Sequence, residues 1–308
     1  MKSQNSRQYE DLYTQLAAVL RPEQICRDEP LSRHTYTKLG GAADIAIFPD
    51  TIESVRQCVD IIRRAEVALT VLGNGSNVIV KDSGIRGVTL VLTELQGIEL
   101  DNQHIIADCG AAIIDVSNFA YERSLTGLEF ACGIPGSVGG AVYMNAGAYG
   151  GEVKDVLTSA LVMTREGNIT LRTRDELHLA YRHSIVSEND DIVLQATFVL
   201  EPGDKAKIRA QMDELTFLRT SKQPLEYPSC GSVFKRPPGY YAGKLIQDAG
   251  LQGLRIGGAE VSRKHAGFIV NVDNATASEY IAVIEAVQAA VKQKFGVALE
   301  REVKIIGD

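Results

Sequence analysis

The chain has 308 residues, 45% of them hydrophobic and 23% charged, with a formal charge of −7 and a mean hydropathy of −0.03. That length buries a large core and accommodates one large domain or two or three ordinary ones. The acidic balance excludes a general binder of nucleic acid or anionic membranes, which needs a basic footprint, and no run of about 18 apolar residues is present to span a bilayer.

The N-terminus carries acidic residues and lacks the apolar run of a secretory signal. Within it, Tyr9, Leu12, Leu16, Val19 and Leu20 recur at helical spacing, and Pro22 closes the segment. LGGAADIAIFPD then reads as a strand. TIESVRQCVDIIRRAEV follows as a helix capped by Thr51 or Asp50, with Val55, Val59 and Ile62 on one face. A second strand, ALTVLG, completes a strand–helix–strand unit, so the loop Gly73–Asn77 is expected at the carboxyl edge of a sheet, where α/β ligands bind. Its GNGSNV sequence lacks the third glycine of GxGxxG and runs into the apolar strand VIV, and GxxxxGK[ST] is absent. A nucleotide fold other than Rossmann or P-loop is required.

Short alternating strands fill Val78 to Gly110. AAIIDVSNFAYERSLTG reads as a helix along Ile114, Asn118, Tyr121 and Leu125, stopped by Gly127. The stretch Gly127–Gly151 holds eight of the 28 glycines. Glycine permits positive φ and close backbone approach, so the stretch suits a cradle for a phosphorylated cofactor; a pair of tight turns in a β-rich domain fits the same residues. SALVMT, NITLRT and DIVLQATFVL read as sheet, and EPGDK near residue 203 marks a boundary. Beyond it come a helix over 206–219 with Ile208, Met212, Leu215 and Leu218 on its apolar face, a long Pro/Gly-rich loop, the short helix GKLIQDAG and the strand GFIVNV. A Thr276–Glu279 capping box opens a helix to about Phe295, and LEREVKIIG is the last strand. The five cysteines are scattered without a CxxC pair, which points to a reducing, cytoplasmic location and to neither a zinc site nor a disulfide framework. The expected organisation is α+β: a lead-in over 1–37, a cofactor domain over 38–203 in two α+β subdomains, and an α+β substrate domain over 204–308.

Two glycine loops in one domain, GNGSN and GIPGSVGGA, suit a dinucleotide pyrophosphate held by backbone N–H groups and by Ser and Asn side chains. Together with LGGAAD, VLGNGSNVIVKDSGIRGVTL, GIPGSVGGAVYMNAGAYGGE, YRHS, SCGSVFKRP and LEREVKIIGD, six motifs in order over residues 38–308, the sequence resembles the UDP-N-acetylenolpyruvoylglucosamine reductases of bacterial peptidoglycan synthesis. The resemblance implies bound FAD in a fold of the vanillyl-alcohol oxidase type, NADPH as hydride donor, and an enolpyruvyl ether of UDP-N-acetylglucosamine as substrate. It implies FAD binding by Gly73, Asn74, Gly75, Ser76 and Asn77 in one loop, and by Gly133, Ile134, Pro135, Gly136, Ser137, Gly140 and Ala141 in the other.

The resemblance also selects three catalytic residues. Ser232 would give the proton to the enolate left by hydride addition, although a serine in CGSVF is equally a turn residue. Arg182 would pair with the substrate carboxylate through its always-charged fork. Glu302 would orient or help protonate the intermediate, a role open to a carboxyl whose pKa burial raises. If LEREV is one strand, Glu300 and Glu302 point the same way and pattern leaves both open.

Lys222, Lys235 and Arg236 near the Pro-rich loop suit the UDP diphosphate and carboxylate. Tyr149 and Tyr240 are stacking candidates that equally well pack. His183 and Cys230 read as structural. With 49 residues between Arg182 and Ser232, the chain resembles the shorter class of these reductases, without a tyrosine-lid insertion. A flavin-dependent sugar or alcohol oxidase and a non-catalytic nucleotide-binding module are the rival readings. The expected partner is a small UDP-sugar, with no nucleic acid, no membrane and a monomeric state assumed.

Overall fold

A computed structural model describes residues 2–308, with side chains from Arg7 onward. The chain forms two compact units that interleave along the sequence. One comprises Met1–Asp28, Asp44–Asn74 and Gly87–Phe217; the other comprises Glu29–Ala43, Gly75–Arg86 and Leu218–Asp308. This differs from the contiguous ranges expected from sequence, for two physical reasons. Strand Val78–Val80 pairs in parallel with Lys304–Ile306, which draws an early segment into the C-terminal unit. The helix Lys205–Lys222 starts by burying Ile208 and Met212 in the first unit, with Lys205 Nζ 3.1 Å from Glu122, so residue 203 is no break.

The first unit carries two sheets over one core. A four-stranded sheet runs in the order Ile25–Pro30, Ala42–Ile47, Ile85–Val91, Leu69–Leu72, and its last two strands are parallel. Helix Ile52–Arg64 connects Ala42–Ile47 to Leu69–Leu72, as its pattern predicts. Thr51 Oγ1 accepts from Ser54 N at 3.1 Å, and Val55, Cys58, Val59 and Ile62 are buried. Each fully buried Val or Ile side chain contributes about 1.5–3 kcal/mol. A five-stranded antiparallel sheet follows in the order Ile169–Thr173, Leu157–Met163, Ile192–Val199, His104–Asp108, Ile98–Asp101.

Helix Ile113–Glu122 departs from its expected face and end. It buries Ile113, Val116, Ser117 and Ala120, and the chain leaves it before Leu125, which lies in a short strand. Ser117 turns inward because its hydroxyl donates to Leu128 O at 2.8 Å, which satisfies a polar group that pattern reading assigns to the surface. The glycine stretch is not loop throughout either: Val138–Tyr143 is a helical turn and a half capped by Ser137.

In the second unit the sheet order is Ser229–Ser232, Phe268–Asn271, Ala259–Val261, Arg255–Ile256, all antiparallel. Helix Ala277–Phe295 buries Tyr280, Val283, Ile284, Val287 and Val291 in this unit's core. Its capping box forms as read: Glu279 N donates to Thr276 Oγ1 at 3.1 Å and Thr276 N to Glu279 Oε2 at 2.9 Å. On the helix Lys205–Lys222, Leu215 and Leu218 are only half-buried, contrary to expectation.

Candidate active site

The two glycine loops meet inside the first unit. Asn74 Nδ2 donates to Pro135 O at 3.0 Å, and a Cβ built on Gly73 would stand 2.4 Å from Ser137 Oγ. A side chain at Gly73 would therefore require the Ser137 hydroxyl to give way. Ser137 is buried and faces Gly140 N across the start of the helical turn, while Val138 N and Gly139 N donate to Ala111 O and Cys109 O at 2.8 Å each. Gly133, Ile134 and Gly136 are half-buried, Gly140 is exposed and Ala141 is buried. The remainder of the first loop belongs to the second unit. There Gly75, at φ 62°, leaves no room for a side chain because His34 O lies 2.0 Å from where its Cβ would be. Packing alone accounts for this glycine. Ser76 and Asn77 are half-buried beside it.

Arg182 sits at the tip of a two-residue turn. Ala180 and His183 exchange both backbone hydrogen bonds at 3.1 Å, and Arg182 is held at φ 54°, a left-handed conformation unusual for arginine. Its Nη2 donates to Gly147 O at 3.2 Å and its guanidinium lies 5.4 Å from the Tyr181 ring. Gly147 opens a hairpin, Gly147–Ala148 against Gly151–Glu152, whose tip is Tyr149 at φ 53° and Gly150 at φ 92°. Two positive φ values in a two-residue loop are the pattern of a type I′ turn, and Tyr149 is exposed upon it. His183 engages Glu188 at 3.3 Å, in keeping with a structural role.

Asn145 was not singled out by the sequence, although an asparagine within a glycine run signals left-handed backbone. It is wholly buried at φ 43°. Its Nδ2 donates to Glu152 Oε2 at 2.7 Å and to Ala180 O at 3.0 Å, and its Oδ1 accepts from Lys154 N at 2.9 Å. On the other side of the turn, buried Ser184 donates to Tyr143 O at 2.5 Å. A cavity of about 550 Å³ lined by Lys154, Asp155, Arg174, Asp175, His178 and Leu179 lies in the same unit and contains none of the expected site residues.

In the second unit the structure brings Ser232, Glu302 and Asn77 together. A bulge in strand Ser229–Ser232, with Gly231 at φ 75°, sets Ser232 opposite Phe268 and leaves it exposed. Glu302 N donates to Val233 O at 2.8 Å, and Asn77 Nδ2 donates to Glu302 O at 3.3 Å. LEREV is not one strand: the regular strand is only Lys304–Ile306, with an isolated bridge between Phe234 and Arg301. Glu300 and Glu302 consequently differ in surroundings. Glu300 is exposed and bound to Lys235 Nζ at 2.6 Å, whereas Glu302 is half-buried.

Cys230 lies behind the serine, with its Sγ 3.3 Å from Tyr280 OH, which in turn donates to Ile269 O at 2.5 Å. Burial pushes the Cys230 thiol up to about 11; Tyr280 pulls it down, and the charge of Glu302 adds to the rise. Lys235 thus has a carboxylate partner, Arg236 stacks 4.0 Å over the Tyr241 ring, and Lys222 and Tyr240 are exposed.

Residues 223–306 match the C-terminal domain of UDP-N-acetylenolpyruvoylglucosamine reductase, and residues 43–171 match an FAD binding domain. The chain is 58% identical over 299 residues to the UDP-N-acetylenolpyruvoylglucosamine reductase of Geobacillus thermodenitrificans, covering 97% of this chain and 98% of that one. It is 58% identical over 297 residues to that of Oceanobacillus iheyensis, covering 96% and 97%. Among solved structures it is similar to UDP-N-acetylenolpyruvylglucosamine reductase from Thermus caldophilus, at a TM-score of 0.78 and 33% identity over 90% of this chain and 97% of that one. A glucose dehydrogenase at 15% identity and a TM-score of 0.51, over 63% of this chain and 44% of its own, shares the fold alone.

Proposed function

The chain belongs to the UDP-N-acetylenolpyruvoylglucosamine reductase family, and we propose that Arg182, Ser232 and Glu302 act on the reacting atoms of its substrate. The protein is an FAD-dependent oxidoreductase with NADPH as reductant. It converts the enolpyruvyl ether of UDP-N-acetylglucosamine to UDP-N-acetylmuramate in peptidoglycan synthesis. Near-full-length similarity to reductases of this one kind carries the assignment.

The residues fit a flavin dinucleotide. Gly73, Asn74, Pro135, Gly136 and Ser137 offer a contact in which a single Cβ at Gly73 would collide with Ser137, so this lining presents backbone and short polar side chains. When bound and reduced, FAD supplies the hydride that adds to the terminal carbon of the enolpyruvyl double bond.

Hydride addition leaves negative charge on the carbon next to the carboxylate and on the carboxylate itself. Arg182, always cationic, is suited to hold that carboxylate through paired N–H groups, and its interaction strengthens as charge accumulates. Ser232 then donates its hydroxyl proton to the carbanionic carbon. A serine hydroxyl is a weak acid, so the step relies on tight positioning. The bulge at Gly231 and the Glu302–Val233 hydrogen bond support that requirement. Glu302 is assigned to orienting the intermediate or assisting its protonation.

Lys222, Lys235 and Arg236 are assigned to the diphosphate, and for Lys235 this means exchanging Glu300 for a phosphate. Tyr149 is assigned to the sugar or uridine. A monomer located in the cytoplasm and acting on a UDP-sugar belongs to the same proposal. Among the described residues no helix is long and apolar enough to cross a membrane. NADPH consumption by the purified flavoprotein with and without the enolpyruvyl substrate tests the reading, and oxidation that does not depend on substrate would overturn it.

A further inference from the structure

We propose that Asn145 is the positioning residue that holds Arg182 in its working conformation. The inference rests on the assignment of Arg182 to the substrate carboxylate. It goes beyond that assignment by naming what keeps an arginine in a backbone conformation it disfavours.

A non-glycine residue at φ 54° stores strain and persists only where its surroundings over-determine it. The surroundings here are two reciprocal braces. Asn145 Nδ2 donates at 3.0 Å to Ala180 O, the carbonyl at the base of the Tyr181–Arg182 turn that also accepts from His183 N. In return, Arg182 Nη2 donates at 3.2 Å to Gly147 O, two residues beyond Asn145. Side chain of loop to backbone of turn, and side chain of turn to backbone of loop, together fix the distance between them.

The Asn145 amide cannot flip without loss. Both of its N–H groups face acceptors, Glu152 Oε2 and Ala180 O, and its oxygen faces the Lys154 N–H donor. It is wholly buried, so water cannot substitute for a lost partner. Asn145 itself sits at φ 43°, a conformation that asparagine and glycine tolerate best, so the loop and the turn carry matched left-handed residues. Asn145 is not a catalytic residue; it acts through Arg182.

The test uses Asn145→Gly, which removes the side chain while suiting the positive φ, and Asn145→Asp, which keeps size and the acceptor for Lys154 N but removes both donors. Arg182→Ala is the comparator. Flavin reduction by NADPH and reduction of the enolpyruvyl substrate are followed separately on FAD-loaded protein. Both Asn145 variants should bind FAD with an unchanged spectrum and reduce it normally, yet lose about 10²-fold in kcat for the substrate half-reaction, because a small misplacement of a positioning group has that effect. KM should rise much less.

If both variants lose both half-reactions together, or lose FAD, Asn145 is a structural residue and the proposal fails. Should Arg182→Ala abolish substrate reduction while both Asn145 variants turn over normally, the Asn145 inference fails and the assignment of Arg182 stands. Should Arg182→Ala turn over normally, the assignment of Arg182 fails, and the Asn145 inference with it.

Discussion

Glu302 N donates to Val233 O at 2.8 Å, which fastens the last glutamate of the chain one residue from Ser232 across nearly 70 residues of sequence. This contact underlies the first prediction. Ser232→Ala should leave flavin reduction by NADPH within about twofold of the parent, because the strand pairs with Phe268–Asn271 through its backbone. Substrate reduction should fall by about 10²–10⁴-fold, the range expected for losing a positioned proton donor. Stopped-flow absorbance at the flavin band separates the two. A comparable fall in both half-reactions would make Ser232 structural.

Glu300 and Glu302 should respond oppositely to neutralisation. Glu300 is exposed and engages Lys235 at 2.6 Å, so Glu300→Gln frees that ammonium for the diphosphate and should lower KM with kcat unchanged. Glu302→Gln, in the half-buried segment tied to Val233 and Asn77, should lower kcat by about 10² or more with little change in KM. Steady-state kinetics on the two variants decides. Equal losses in kcat would reopen the choice that pattern left undecided.

Legibility in the sequence followed locality. The Ile52–Arg64 helix and its Thr51 cap, and the Thr276–Glu279 box, depend on residues three apart and were readable as such. Periodicity alone does not fix the face of Ile113–Glu122, because a shift of one residue turns the face by about 100°, and only the tertiary partner of Ser117, Leu128 O, says which serine is inside. The motifs around Arg182 and Ser232 were visible through resemblance. The left-handed backbone at Arg182 and its brace at Asn145, 37 residues earlier, were not, since neither is a feature of composition or period. The interleaving of the two units rests on a parallel strand pair linking Val78–Val80 to Lys304–Ile306, a contact with no local trace.

The cysteines should divide by burial. Burial pushes Cys58 and Cys109 up to about 12 and Cys230 up to about 11, so thiolate is scarce at pH 8. Iodoacetamide acts on the thiolate, and native protein should therefore be carbamidomethylated at half-buried Cys26 and Cys132 first. Cys58, Cys109 and Cys230 should react only after denaturation. Peptide mass spectrometry over time reads the order, and rapid native labelling of Cys230 would show that the strand carrying Ser232 opens readily.

Asp82 follows the strand Val78–Val80 and caps the helix Ala277–Phe295 from outside. Its Oδ1 accepts from Ala277 N at 2.7 Å, and its Oδ2 accepts from Ser278 N at 2.9 Å and from Ser278 Oγ at 2.6 Å. With Glu279 N on Thr276, the first three amides of the helix are all partnered. Burial raises the Asp82 pKa, but the hydrogen bonds from the Ser278 hydroxyl and the Ser278 and Ala277 amides outweigh it, so the carboxyl ends below its ordinary value. A lowered folded pKa stabilises the fold above the unfolded carboxyl value of about 3.9, and the contribution fades as pH falls through the folded value. Asp82→Asn puts an amide nitrogen, which cannot accept, where Oδ2 takes the Ser278 hydrogen bonds, and should therefore cost about 1 kcal/mol at pH 7, the usual net worth of a hydrogen bond, seen as a fall in Tm of about 2–4 °C. The gap between parent and variant should hold from pH 7 to about pH 4 and close below it, where the parent carboxyl is itself protonated. Thermal melts across that range read the difference. A gap that is absent at pH 7, or that persists unchanged in acid, would show that the charge of Asp82 does not hold the helix.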